Sequence, residues 1–193
     1  LKERVEQVLA TSPQLDAFKS QIRLDMTPDG LRIQIVDEQN RPMFDSGSAV
    51  VKPYMRELLR AIGGVLAEVP NKLTLEGHTD AAAFGAGPAG YSNWELSADR
   101  ANASRRELVA GHLGDAQVLR IQGLAASVPY DRADPLNPIN RRISIIVMNR
   151  DAEDRFLQTA QTAATAEAPA VVEVAASPLP AVAAASSAAD TAR

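Results

Sequence analysis

The amino-acid sequence predicts an α/β (α+β) sandwich, in which one mixed β-sheet packs against two long helices and an amphipathic helix precedes them. Two kinds of hydrophobic periodicity support this prediction. Apolar residues alternate with polar ones, or form short apolar runs, in five strand-like segments, and they recur with helical spacing elsewhere. Strands are expected at 22–26, 31–35, 73–76, 119–122 and 140–148, and the long helices at 53–68 and 93–112.

The N-terminal residues predict a short amphipathic helix. Its apolar face comprises Leu1, Val5, Val8 and Leu9. Ser12-Pro13 interrupts the pattern, since proline disfavours the helical conformation in the residue before it. A lone short helix is marginal in water, so we expect this one to pack either on the domain or on a second copy of the chain.

A hairpin follows this helix. Thr27-Pro28-Asp29-Gly30 predicts a turn between two alternating segments. One face of the hairpin is expected to be buried and carries Ile22, Leu24, Met26, Leu31, Ile33 and Ile35.

Both long helices carry local signals of their own. The first is interrupted by Gly63-Gly64, which is expected to weaken it by about 1 kcal/mol per glycine. The second opens with Ser92 and Glu95 at the spacing of a capping box, in which each side chain bonds a free amide of the other residue. Between them, the Gly- and Ala-rich segment 81–91 predicts a loop.

Composition divides the chain into four expected segments. They are a helical linker or switch at 1–20, the folded domain at 21–150, a short helix at 151–161 and a disordered tail at 162–193. The tail is rich in Ala, Pro and Ser and lacks the apolar periodicity that a packed core needs. Because the chain begins with Leu1 rather than Met, we expect a fragment or a processed product.

Charge and cysteine content exclude several classes of function. A net charge of −4 disfavours a nucleic-acid surface, which needs a basic stripe. The chain has no cysteine, which excludes disulfides and thiolate metal sites. No apolar run reaches the roughly 20 residues of a membrane span.

The most informative pattern places an acid at a strand end and a base near the start of a helix. Asp80 ends the segment Gly77-His78-Thr79-Asp80. One face of the second long helix carries Asn93, Ser97, Arg100 and Ser104. This face is small and polar, so we expect it to point away from the hydrophobic interior.

Asp80 and Arg100 facing each other across a cleft would bind a zwitterion. Arg100 would pair bidentately with a carboxylate and Asp80 would hold an ammonium. The alternative is that the two residues pair with each other. As an exposed pair they would then contribute only about 0–1 kcal/mol.

Three segments resemble the OmpA-like peptidoglycan-binding family. They are Gly77-His78-Thr79-Asp80, Asn93-x-x-Leu96-Ser97-x-x-Arg100-Ala101 and Asn140-Arg141-Arg142-Ile143. The longer segment from Tyr91 to Leu108 is similar to the MotB family of flagellar stator subunits. The resemblance is strongest over 73–149, looser over 15–70, and weak or absent in the tail.

This resemblance implies an OmpA-like fold and non-catalytic binding of the peptidoglycan stem peptide, through the carboxylate and ammonium of its diaminopimelate residue. It implies Asp80 and Arg100 as the charged contacts, with Asn93, Leu96 and Thr79 lining the site. Arg141 would either support the site or touch the glycan. No cofactor, metal or catalytic residue is expected.

Two departures from the family pattern leave open which backbone groups reach the ligand. The loop between Asp80 and Asn93 is longer than in compact OmpA-like domains. In addition, Gly123-Leu124-Ala125 lacks the second glycine of the family's Gly-x-Gly. In both departures the chain resembles the MotB branch of the family.

For the whole protein, the resemblance implies the periplasmic domain of a single-pass inner-membrane protein that anchors the flagellar motor stator to the cell wall. The implied partners are a second copy of the chain, a MotA-type subunit reached through a transmembrane segment outside this sequence, and further the flagellar P-ring. No nucleic-acid partner is expected. The alternatives are an OmpA/Pal-like envelope-tethering protein unrelated to the motor and a wall-degrading enzyme.

Two single residues have competing interpretations. His78 and Asp80 have the spacing of metal ligands on a strand, but His112 is the only other histidine, so we expect His78 to make a structural hydrogen bond. Trp94 is expected to pack the helix start against the domain rather than to stack on a sugar.

Overall fold

A computed structural model describes residues 1–11, 18–38, 41–85 and 90–166. The helices are α1 (Lys2–Thr11), α2 (Pro53–Ala67), α3 (Asn93–Ala110) and α4 (Arg150–Ala166). The strands are β1 (Ile22–Thr27), β2 (Gly30–Val36), β3 (Leu73–His78), β4 (Val118–Gly123) and β5 (Arg142–Met148). The predicted break at Ser12-Pro13 and residues 167–193 of the predicted tail lie outside the described residues.

The five strands form one mixed sheet in the order β1-β2-β5-β3-β4. Only the pair β3 and β4 is parallel, and the other neighbouring pairs are antiparallel. The predicted fold class, one mixed sheet with two long helices, is confirmed. All five strands lie within about two residues of the predicted segments, because the period-2 pattern follows the pleat.

The hydrophobic core lies between the sheet and the long helices. It combines the sheet residues Leu31, Ile33, Ile35, Leu73, Leu75, Ile143, Ile145 and Val147 with the helix residues Met55, Leu58, Leu59, Ile62, Leu66 and Leu108. Helices α2 and α3 also pack directly on each other, and Gly63 is one point of close approach. A Cβ atom there would lie 2.3 Å from the carbonyl oxygen of Leu108. The glycine that costs helix propensity therefore permits the helix crossing.

Helix α1 is docked on the domain. Val5 is only 1% exposed and belongs to the same core as the α2 side chains. Arg4 forms an ion pair with Glu68, at the end of α2. Within the described residues, no helix combines the length and apolarity needed to cross a membrane.

Two sequence expectations about elements were wrong. Met26 is 70% exposed rather than buried, because β1 is an edge strand and Met26 lies next to its turn. Helix α4 continues to Ala166, beyond the expected end at 161. Its threonine hydroxyls bond within the helix, with Thr162 Oγ1 donating to the Gln158 carbonyl at 2.9 Å, and alanine is the best helix former.

Candidate functional site

The sheet topology brings three charged side chains to one end of the domain. Asp37 follows β2 and Asp80 lies two residues after β3, whereas Arg141 precedes β5. Because β5 runs antiparallel to both β2 and β3, the ends of those two strands meet the start of β5. The Asp37 amide accordingly donates to the Arg141 carbonyl at 2.9 Å.

Arg141 bridges the two carboxylates. Its Nε donates to Asp37 Oδ2 at 2.8 Å and its Nη1 donates to Asp80 Oδ2 at 2.6 Å. Burial lowers the pKa of Arg141, but the hydrogen bonds to both carboxylates outweigh burial and the net shift is upward. Burial raises the pKa of Asp37, although the guanidinium opposes this shift. Asp80 is thus fixed in position through Arg141, which is itself held by Asp37.

Helix α3 lies against the sheet through small residues. A Cβ at Gly77 would lie 1.9 Å from the Ser97 carbonyl oxygen, so β3 and α3 are in backbone contact. Ser97 and Ser104 are both fully buried. The expectation that this helix face points away from the interior was therefore wrong. Each hydroxyl donates to a carbonyl of the preceding turn, Ser97 to Trp94 and Ser104 to Arg100, which removes the cost of burying it.

Arg100 is the charged member of that face and reaches a different set of partners. It is 8% exposed, and its Nε donates to the Ser48 carbonyl at 2.9 Å. Its guanidinium carbon lies 5.0 Å from the centre of the Phe44 ring. Burial lowers the pKa of Arg100, with the Asp37 carboxylate opposing. Since no lining carboxylate lies within ion-pair distance of it in the described residues, Asp80 and Arg100 do not pair with each other.

These side chains enclose a cleft of about 510 Å³. All six residues predicted for the site line it, namely Thr79, Asp80, Asn93, Leu96, Arg100 and Arg141. Asn93 donates to the Ala82 carbonyl at 2.8 Å, which holds the start of α3 against the loop that follows β3. The structure brings the six together, and their role in binding stays a prediction.

Sequence reasoning missed several lining residues. They include Asp37, Phe44, Asp45, Lys52 and Phe84. Asp37 follows an apolar strand as Asp80 does, and this signal could have found it. Three cationic side chains line the cleft in the described part of the chain. Lys52 pairs with Asp45 and Arg141 pairs with two carboxylates, so Arg100 is the one that lacks a carboxylate partner there. The cleft therefore has balanced charge and one unpaired guanidinium.

The start of α3 is capped as predicted. The Ser92 amide donates to Glu95 Oε2 at 2.8 Å, and Ser92 Oγ accepts from the Trp94 amide at 3.3 Å. Ser92 is thus engaged as a cap. The expected packing of Trp94 was wrong, because this side chain is 55% exposed.

His78 is buried on the sheet face opposite the core. Its side chain is 2% exposed, and neither ring nitrogen has a hydrogen-bond partner in the described residues. Glu76 Oε2 lies 3.7 Å from Nε2, which is too long for a hydrogen bond. The expected structural hydrogen bond was wrong. Within the described ranges, no three His, Asp or Glu residues are grouped as metal ligands.

The stability of the protein is expected to fall as the pH drops from about 7 to 5. Burial lowers the pKa of His78 below 6.5, with Glu76 opposing and Arg142 adding to the shift. The unfolded chain therefore binds more protons than the folded one as the pH falls past 6.5, with a limiting slope of about 1.4 kcal/mol per pH unit. Urea unfolding of His78→Gln across this range should lack that slope, whereas His112→Gln, on the exposed surface, should keep it. Equal slopes in both variants would contradict this assignment.

Comparison with known proteins gives consistent results. The OmpA family model matches residues 43–142, slightly more than half of the chain. Motility protein B of Escherichia coli strain K12 is 50% identical over 157 residues, covering 81% of this chain and 51% of that protein. The chain thus spans about half the length of this curated relative.

Two solved structures share the fold. The periplasmic domain of Helicobacter pylori MotB matches with a TM-score of 0.59 at 14% identity, covering 79% of this chain and 94% of that one. The cell wall anchor of the T6SS from Pseudomonas aeruginosa matches with a TM-score of 0.60 at 24% identity, covering 78% and 100%. At these identities the likeness concerns the fold alone.

Proposed function

This chain belongs to the OmpA family, and from that premise we propose that it binds peptidoglycan without chemistry and anchors a flagellar motor stator to the cell wall. The identity to motility protein B favours the motor over a tethering role unrelated to it. The proposed ligand is the stem peptide, held through the carboxylate and ammonium of its diaminopimelate residue.

The charge arrangement of the cleft carries this proposal. A site that binds a zwitterion needs a cationic and an anionic side chain that do not form an ion pair with each other. Within the described residues, Arg100 donates hydrogen bonds to the backbone carbonyls of Ser48 and Asp45, which leaves its charge available for a carboxylate. Asp80 keeps Oδ1 for an ammonium, apart from a 3.1 Å hydrogen bond from the Ala82 amide.

Asp80→Asn is expected to weaken binding to purified peptidoglycan by about tenfold or more, because the carboxylate that faces the ammonium becomes neutral. Co-sedimentation with purified sacculi measures this, and a thermal melt checks that the variant is folded. Asp115→Asn is the matched control, since Asp115 follows α3 at its other end. Retained binding by the folded Asp80→Asn variant would remove the proposed role.

The whole protein is proposed to be a homodimer in the periplasm, joined to the inner membrane and to a MotA-type subunit through a segment outside this sequence, with the P-ring as a further partner. Two weak sites on one scaffold facing a repeating polymer gain avidity without new contacts. Analytical ultracentrifugation of the chain tests the dimer, and a purely monomeric chain would contradict it.

Helix α1 is proposed to act as a switch that is docked in the idle state and released when the stator joins a motor. The described contacts of α1 with the domain include the Arg4–Glu68 ion pair and the burial of Val5, and release of the helix would break both. The chain has no native cysteine, so a disulfide introduced between positions 4 and 68 is unambiguous. Undiminished motility and wall binding with this disulfide closed would exclude the switch.

A further inference from the structure

Trp94 is a large aromatic side chain that the domain leaves uncovered. It is 55% exposed, although it lies at the start of α3, which packs against the sheet. In the described part of the chain, no aromatic ring and no cation packs on its indole. Tyr91, three residues earlier, is 45% exposed.

The backbone beneath this side chain is fixed on both sides. The Trp94 amide donates to Ser92 Oγ at 3.3 Å, and the Trp94 carbonyl accepts from Ser97 Oγ at 2.9 Å. Ser97 Oγ also accepts from the Ala125 amide, which ties the turn to the loop after β4. An exposed aromatic on a rigid backbone loses little conformational entropy when a ligand packs on it.

Aromatic side chains continue from the cleft wall to this surface. Phe84 lines the cleft and meets Tyr91 edge to face, with ring centres 6.1 Å apart. The Tyr91 hydroxyl donates to Asp99 Oδ2 at 2.7 Å, which fixes the ring above α3. Asn93, which lines the cleft, directly precedes Trp94. Three of the eight aromatic residues of the chain thus lie in one short segment beside the cleft.

We propose that Tyr91 and Trp94 form a shelf that binds the sugar backbone of the polymer whose peptide occupies the cleft. An aromatic face packs on the C–H face of a sugar ring, while the Trp94 indole N–H can donate to a sugar hydroxyl and the Tyr91 hydroxyl oxygen can accept from one. Glu95 and Asp99 make this surface acidic, which suits a neutral glycan and disfavours an anionic polymer. The inference rests on the proposed function, because the peptide places the sugar beside the shelf.

Two synthetic ligands separate the shelf from the cleft. One is the diaminopimelate-containing tripeptide alone, and the other is the same tripeptide attached to its N-acetylglucosaminyl–N-acetylmuramyl disaccharide. Trp94→Ala should weaken binding of the disaccharide-tripeptide by about fivefold to thirtyfold and leave binding of the tripeptide unchanged. Trp94→Phe should restore most of the loss. Met26→Ala, an exposed apolar residue at the opposite end of the sheet, is the control.

Fluorescence gives a direct second readout, because Trp94 is the only tryptophan in the chain. Its emission should shift to the blue with the disaccharide-tripeptide and stay constant with the tripeptide. Equal losses for both ligands in Trp94→Ala, or no loss for either, would overturn the shelf. A different result would contradict the proposed function itself. In that case Asp80→Asn would bind both ligands as well as the unmodified chain does.

Discussion

Gly77→Ala is expected to destabilise the protein by about 3 kcal/mol and to weaken ligand binding in the molecules that still fold. The added Cβ would lie 1.9 Å from the Ser97 carbonyl oxygen and 2.8 Å from its carbonyl carbon. Both are backbone atoms, so no rotamer change relieves the contact. The N-terminal turns of α3 must move away from β3, and they carry Asn93, Leu96 and Arg100 away from Asp80.

Urea unfolding at constant m-value measures the first effect, and the melting temperature should fall by about 6–12 °C. Gly64→Ala is the matched control, since a Cβ there meets only the Gly111 carbonyl oxygen at an ordinary 3.6 Å. It should stabilise the protein by about 0.5–1 kcal/mol, because alanine is the better helix former. A Gly77→Ala variant as stable as the unmodified chain would show that this contact does not seat α3.

The sequence was sufficient for the strands and for part of the cleft lining, including Asp80 and Arg100. Asp80 was found because it follows an apolar strand, and Arg100 because it shares a helix face with Asn93. Periodicity reports which residues share a face, and topology rules then restrict which element ends can meet. The pairing of Asp80 was beyond this reasoning, since the choice of Arg141 over Arg100 depends on distances across the sheet end.

The main error of the sequence-based prediction concerned the burial of small polar residues. Ser97 and Ser104 were expected to point away from the hydrophobic interior, yet both are fully buried. A serine hydroxyl that bonds a carbonyl of its own helix behaves as a small side chain, and smallness is what close packing of a helix on a strand requires. The opposite error at Trp94 has a related cause. A lone aromatic is usually buried, and no sequence pattern shows whether the fold provides a surface to cover it.

The position of Asp37 illustrates a third limit. It holds Arg141 at 2.8 Å and accepts from the Met43 amide at 2.7 Å. It therefore joins the loop after β2 to the start of β5. Sequence separation between Asp37 and Arg141 exceeds one hundred residues, so only the sheet order brings them together. Polar residues at every strand end of a sheet deserve equal weight in such predictions.

Arg100→Met is expected to abolish most ligand binding while leaving the fold as stable as before or up to about 1 kcal/mol more stable. Arg100 is nearly buried, and burial lowers its pKa, so the free protein holds a desolvated cation for which the described part of the chain supplies no carboxylate partner. Methionine has similar length and keeps the contact with the Phe44 ring that the guanidinium now makes. Water can replace the donor to the Ser48 carbonyl, because Ser48 is only half-buried.

Ligand binding is expected to weaken while the stability of the fold is kept or increased, and this combination distinguishes a binding role of Arg100 from a structural one. Binding to the diaminopimelate-containing tripeptide should fall about 30-fold or more, because the ligand carboxylate loses its bidentate partner. Arg106→Met, on the exposed face of the same helix, should leave both binding and stability nearly unchanged. Titration calorimetry and urea unfolding of the three proteins give both quantities. If Arg100→Met lost stability by several kcal/mol and bound the peptide normally once folded, Arg100 would be a structural residue that holds the Ser48 loop.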